Sequence, residues 1–134
     1  MKGSCLCGEV RYEAEGRPLG INYCHCMQCR KASGTAFATN AGFNRSAFRF
    51  LSGEDHLAAY ESSPGRHRHF CGRCGSPIYS SSERSPDVVY VRIGTFDDSD
   101  NLKPDVHIHV ASKAPWYEIR DALPQREEEE DLWF

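Results

Sequence analysis

Several features are missing from this sequence, and each absence excludes something. No apolar stretch approaches the roughly 20 residues of a membrane helix, so a membrane partner is not expected. The start, Met1-Lys2-Gly3-Ser4-Cys5, has no apolar run of the kind a secretory leader carries. A cytoplasmic location is the expectation, with thiols kept reduced. There is no basic excess: 16 Lys and Arg stand against 19 Asp and Glu, a formal charge of -3. Phosphate contacts carry most nucleic-acid affinity, so a nucleic-acid partner is not expected either. No repeat, heptad array or long linker is visible, and 134 residues suit one domain. With 40% hydrophobic and 26% charged residues, wholesale disorder is excluded.

What is present reads as short strands. Glu9–Ala14 and Ala47–Leu51 alternate, and Val88–Ile93 is rich in β-branched and aromatic residues. His107-Ile108-His109-Val110 alternates polar with apolar, which predicts a strand with both histidines on one face. Leu57–Glu61 is read as strand, and Met27–Ala32 as a short helix or turn. Glycine and proline punctuate the chain too densely for long helices. Ser80–Asp87 and Asp97–Asp100 are expected to be loops. The class is therefore mainly β. A zinc-binding domain over residues 1–125 is followed by an acidic tail, 126–134, whose like-charge block at Glu127–Glu130 is expected to fray. The terminal Leu132-Trp133-Phe134 is apolar, and docking on the body or on a partner is one reading of it.

Cysteine carries the chemistry. There are seven, an odd number, so a complete set of internal disulfides is impossible. They form three clusters, Cys5-x-Cys7-Gly8, Cys24-His25-Cys26-x-x-Cys29 and Cys71-x-x-Cys74-Gly75, and reduced thiols at such spacings are a metal-ligand pattern. Two thiolates three positions apart converge on one ion if the chain turns tightly, which Gly72 and Gly75 favour. A tetrahedral ion needs four ligands, and Cys5 and Cys7 are the simplest second pair. Cys5, Cys7, Cys71 and Cys74 then close a structural zinc site with no open position. Cys24, Cys26 and Cys29 remain. Three protein ligands and one exchangeable position characterise catalytic zinc, and a thiol bound there would lose its proton at neutral pH.

Filling both sites would move the formal charge from -3 to about -6, because seven thiol protons leave and four positive charges arrive. An anionic thiol would then need nearby cations, for which Arg30, Lys31 and Lys113 are candidates. Tyr23, His25 and His67 are acid–base candidates, and Trp116 is either a pocket wall or a core aromatic. Alternatives stay open: a redox pair, or a second structural site completed by a histidine. His25, between two ligands, is expected to point away from them. His67 and His69 are read as strand residues or anion contacts.

The order of these clusters, with Arg30-Lys31 after the second, Phe70 and Ser76-Pro77 flanking the third, and the later Ser112-Lys113-Ala114-Pro115-Trp116 and Leu123-Pro124, resembles the glutathione-dependent formaldehyde-activating enzyme family. The resemblance spans about Gly3 to Gln125. It implies a zinc-binding β-tent fold, a structural zinc on Cys5, Cys7, Cys71 and Cys74, and a catalytic zinc on Cys24, Cys26 and Cys29. It also implies a carbon–sulfur lyase that condenses glutathione or a similar thiol with an aldehyde, giving S-hydroxymethylglutathione in the case of formaldehyde, or cleaves a related adduct. The competing reading is a non-enzymatic zinc module with a protein or small-thiol partner.

Overall fold

The computed structural model describes residues 1–128; the end of the acidic block and Leu132-Trp133-Phe134 lie outside the described residues. Among the described residues ten strands form two sheets. The smaller has the order β1-β2-β5, from Lys2–Ser4, Arg11–Ala14 and Phe48–Ser52. The larger has seven strands in the order β10-β3-β4-β9-β8-β7-β6. Its members are β3 (Gly20–Cys24), β4 (Ala38–Asn44), β6 (Leu57–Ser63), β7 (Arg66–Cys71), β8 (Pro77–Ser82), β9 (Val88–Arg92) and β10 (Val106–Ile108). All pairings between these strands are antiparallel except β10 on β3, and an isolated parallel bridge joins His107 to Gln125. No helix among the described residues is long and apolar enough to cross a membrane.

The mainly β class is as the sequence predicts, and Leu57–Glu61 is strand. Two expectations need correction. Ser80–Ser82 continue β8, because all three pair with β7 on one side and Ser80 and Ser81 pair with β9 on the other. His109 does not share a strand face with His107. It leaves β10 at φ 57, a left-handed conformation that ends the alternation.

One face of the large sheet packs against the small one. Val10, Tyr12, Phe43, Ile78, Val89 and Val91 are fully buried there. Tyr12 sits at the centre, its ring 5.1 Å from Phe48 and 5.7 Å from Phe96, and its hydroxyl bonds Thr95 Oγ1 at 2.6 Å. Burial and the negative Asp97 nearby push that phenol well above its ordinary pKa, so it stays neutral.

The opposite face follows from the period-two alternation of strands. Directly paired residues share a face, and Arg68, Ser80 and Tyr90 lie in one cross-strand row. Arg92, Asn40 and Asn22 lie in another. This second face is polar, and helix α1 (Met27–Ser33) stands at its margin.

Candidate metal centre

The structure gathers the seven cysteines into two groups, within each of which the sulfurs lie within 4.8 Å of one another. All seven are free thiols. Cys5, Cys7, Cys71 and Cys74 form the first group. Local turns bring each pair together. Gly8, at φ 81, lets its N–H donate to Cys5 O, and Val10 N–H donates to Cys5 Sγ at 3.3 Å. Gly75, at φ 82, donates to Cys71 O across the second turn. The Cys5–Cys7 and Cys7–Cys71 sulfur separations are 3.5 and 3.9 Å. A tetrahedron built on a Zn–S bond of ~2.3 Å has edges of about 3.8 Å, so this donor set fits zinc. The Ser76 hydroxyl and backbone N–H pull the Cys74 thiol down to about 5, which suits a ligand bound as thiolate.

Cys24, Cys26 and Cys29 form the second group. Cys24 ends β3, while Cys26 caps α1 with extended backbone, and its Sγ accepts from Cys29 N–H at 3.3 Å. Cys29 lies one turn into the helix and faces inward. Gly34 ends the helix in a left-handed conformation and donates to Arg30 O. Cys24 and Cys29 are buried, whereas Cys26 is half-buried. Hydrogen bonding from the sulfurs of Cys24 and Cys26 holds the Cys29 thiol far below its ordinary range; burial opposes this, and Arg92 and Arg68 reinforce it. Three sulfur donors converging beside open space fit an ion with one exchangeable position.

That space is a cleft of about 280 Å³. The three cysteines, Met27 and Gln28 form one wall. The polar sheet face forms the other, with Asn22, Asn40, Ser80, Tyr90 and Arg92 joined by Arg66 and Arg68 from β7 and by His109. Asn40 Nδ2 donates to Asn22 Oδ1 at 3.1 Å, while Asn40 Oδ1 is buried without a partner. Arg68 reaches both Gln28 Oε1 at 3.3 Å and Ser62 Oγ at 3.1 Å, and its two terminal nitrogens lie 3.8 Å from Cys29 Sγ.

Sequence reasoning missed these arginines. The cations it named are engaged elsewhere: Arg30 donates to Ser112 O at 3.0 Å and Lys113 to the carbonyls of Ala114 and Tyr117. Lys31 is exposed on α1 and does not line the cleft. Trp116 is 68% exposed, so it is not a core aromatic, nor does it line the cleft. Alternation along Arg66-His67-Arg68 could have suggested two arginines on one strand face; nothing local indicated what that face meets.

Tyr23, His25 and His67 also lie off the cleft. His25 is fully buried and points away from the sulfurs as expected, toward His107, with Nε2 2.8 Å from His107 Nδ1. His107 Nε2 in turn donates to Asp121 at 3.0 Å, which lowers the Asp121 pKa. Burial, aided by His107 and the cations Lys113 and Arg30, pulls His25 down to about 4, so it is neutral. His67 sits 3.7 Å from both Glu61 and Glu83 on the exposed β6–β7 hairpin side. His69 stacks on Tyr79 at 4.1 Å and meets Ser81 Oγ at 3.2 Å.

Comparison with known proteins gives a consistent picture. Residues 1–112 match the family model described as glutathione-dependent formaldehyde-activating enzyme. A Halomonas elongata protein that carries this name provisionally is 33% identical over 135 residues, covering 94% of this chain and 85% of its own length. An uncharacterized lyase of Schizosaccharomyces pombe is 23% identical, covering 88% of this chain and 84% of its own. The crystal structure of a Rhodobacter sphaeroides protein superposes with a TM-score of 0.64 at 25% identity, over 75% of this chain and 92% of that one.

Proposed function

We propose that this chain, which belongs to the glutathione-dependent formaldehyde-activating enzyme family, is a zinc-dependent carbon–sulfur lyase that joins a carboxylate-bearing thiol such as glutathione to formaldehyde and, in reverse, releases aldehyde from such an adduct. The observation that carries the reading is the convergence of three sulfurs on one wall of a cleft whose other wall is lined with arginine. Cys5, Cys7, Cys71 and Cys74 would hold a structural zinc, and Cys24, Cys26 and Cys29 a catalytic one. Bound in the second site, zinc would supply the positive charge and vacant position that favour a substrate sulfur as thiolate.

The chain's own groups do the rest. Arg66 lines the cleft as a partner for a substrate carboxylate, where guanidinium forks bind strongly. The cleft is large compared with formaldehyde, so most of its volume serves the thiol. In the forward direction the sulfur lone pair forms the new S–C bond, the carbonyl π pair moves to oxygen, and oxygen gains a proton. The thiol proton is the one lost, so atoms balance and nothing is oxidised. Asn40 lines the cleft, and a small rotation of its side-chain amide would let its unpartnered Oδ1 accept a hydrogen bond from the adduct hydroxyl. Tyr90, His109 and the hydroxyls of Ser63 and Ser80 are protic side chains of the cleft through which the proton could pass to solvent.

The test is loss of formaldehyde in the presence of glutathione and zinc-loaded protein. The rate should rise in proportion to protein concentration. Rates equal to the uncatalysed reaction at every concentration refute the substrate assignment, and thiol binding without turnover would mark a zinc module instead.

A further inference from the structure

Arg92 is an unusual residue to find where it is. It closes β9 and pairs with Asn40 in the middle of the large sheet, where its side chain is only 9% exposed. One terminal nitrogen donates to Ser80 Oγ at 3.3 Å and to Tyr90 O at 3.1 Å. Neither acceptor is charged. Among the described residues no carboxylate is paired with it, and it lines the same cleft as Cys24, Cys26 and Cys29, whose sulfurs become anionic as metal ligands. An isolated buried cation is costly, and proteins retain one where an anion offsets it. The second arginine, Arg68, has both terminal nitrogens 3.8 Å from Cys29 Sγ and is held by Ser62 and Gln28. Among the described residues the four-cysteine site has no such neighbours: Arg73 pairs with Glu9, Arg11 reaches Gly8 O, and Cys7 is exposed to water.

The charges match in number. Three thiolates on one zinc ion sum to about -1, and a fourth donor in thiolate form brings this to about -2. One arginine offsets the first and two offset the second. We propose that Arg92 and Arg68 are the built-in counter-ions of the three-cysteine centre, Arg92 setting its metal affinity and Arg68 its acceptance of an anionic sulfur as fourth donor. The Arg92 half stands on the donor set alone; the Arg68 half rests on the reading of the cleft as a thiol site.

The experiment measures zinc affinity at each equivalent by chelator competition, and thiol affinity from the visible spectrum of cobalt-substituted full-length protein. Arg92→Gln should weaken only the second zinc equivalent, by about 10- to 100-fold, the range found for groups that support metal ligands. Arg92→Lys, which keeps the charge but not the fork, should fall between. Arg68→Gln should leave zinc affinity within about threefold but weaken 2-mercaptoethanol and glutathione alike by roughly tenfold. Wild-type affinity at both equivalents in Arg92→Gln overturns the Arg92 half. If that variant cannot hold even the first equivalent it has not folded, and Arg92→Lys decides instead: with the first equivalent kept, a second-equivalent loss of about 100-fold or more despite the retained charge overturns the Arg92 half. Loss confined to glutathione in Arg68→Gln overturns the second half, because Arg68 would then be a carboxylate contact. If no thiol shifts the spectrum of the unsubstituted protein, the thiol site of the proposed function and the Arg68 half both fall, and the Arg92 result stands separately.

Discussion

Replacing His107 by leucine tests the buried chain that runs from the cysteine loop to the C-terminal segment. His107 and His25 are both fully buried, and His107 bridges His25 Nε2 at 2.8 Å to the Asp121 carboxylate at 3.0 Å. His25 Nδ1 already lacks a partner, so the substitution leaves both nitrogens of a buried ring unsatisfied. One newly orphaned buried polar group costs about 1–3 kcal/mol. The Asp121 bond adds little, since that carboxylate is 42% exposed and solvent screens it. Leucine offsets about 1 kcal/mol through apolar burial. Taking the middle of each range, the net expectation is a loss of roughly 1–2 kcal/mol. In urea unfolding of metal-loaded protein followed by far-ultraviolet circular dichroism, the midpoint should fall by roughly 1 M. The double variant His25→Leu/His107→Leu removes both partners, and should cost less than the sum of the two single changes by at least about 1 kcal/mol. A single variant within about 0.5 kcal/mol of the original protein, or strict additivity in the double, refutes the reasoning.

Other outcomes follow from the same geometry. Cys29→Ser should reduce bound zinc from about two equivalents per chain to about one, as read by elemental analysis of freshly purified protein, because the four-cysteine group is untouched. Gly53→Ala should destabilise by about 2 kcal/mol or more in thermal unfolding, since φ is 74 and a Cβ would lie 2.0 Å from the backbone oxygen of Glu9. Gly16→Ala is its control: at φ 76 with nothing within 4 Å, only the left-handed penalty of about 1 kcal/mol applies. Arg66→Gln should raise KM for glutathione by roughly tenfold with kcat within about threefold, and leave kinetics with 2-mercaptoethanol unchanged, if it holds a substrate carboxylate.

Much of the metal chemistry was legible because it is local. Sulfurs two or three positions apart converge through a turn, and the glycines that make those turns, Gly8 and Gly75, sit beside them in the chain. The helix at Met27–Ser33 follows from a capping cysteine before it and Gly34 after it. By contrast, Val88-Val89-Tyr90-Val91-Arg92 reads as one apolar run ending in a surface charge. In the fold, Val89 and Val91 enter the core while Tyr90 and Arg92 turn to the cleft. His25, His107 and Asp121 are far apart in the chain, and the first two meet because β10 lies alongside β3.

The sequence alone determined the mainly β class, the two sulfur groups and the family, since each depends on residue type and short spacing. Only the tertiary structure decided which cations accompany the cysteines. Arg30 and Lys113, near in sequence or motif, are tied to backbone carbonyls, while Arg68 and Arg92 arrive from strands about 40 and 60 residues further along the chain. The physical reason is that strand register fixes which face a side chain takes, and register is set by pairing between distant segments rather than by any local preference.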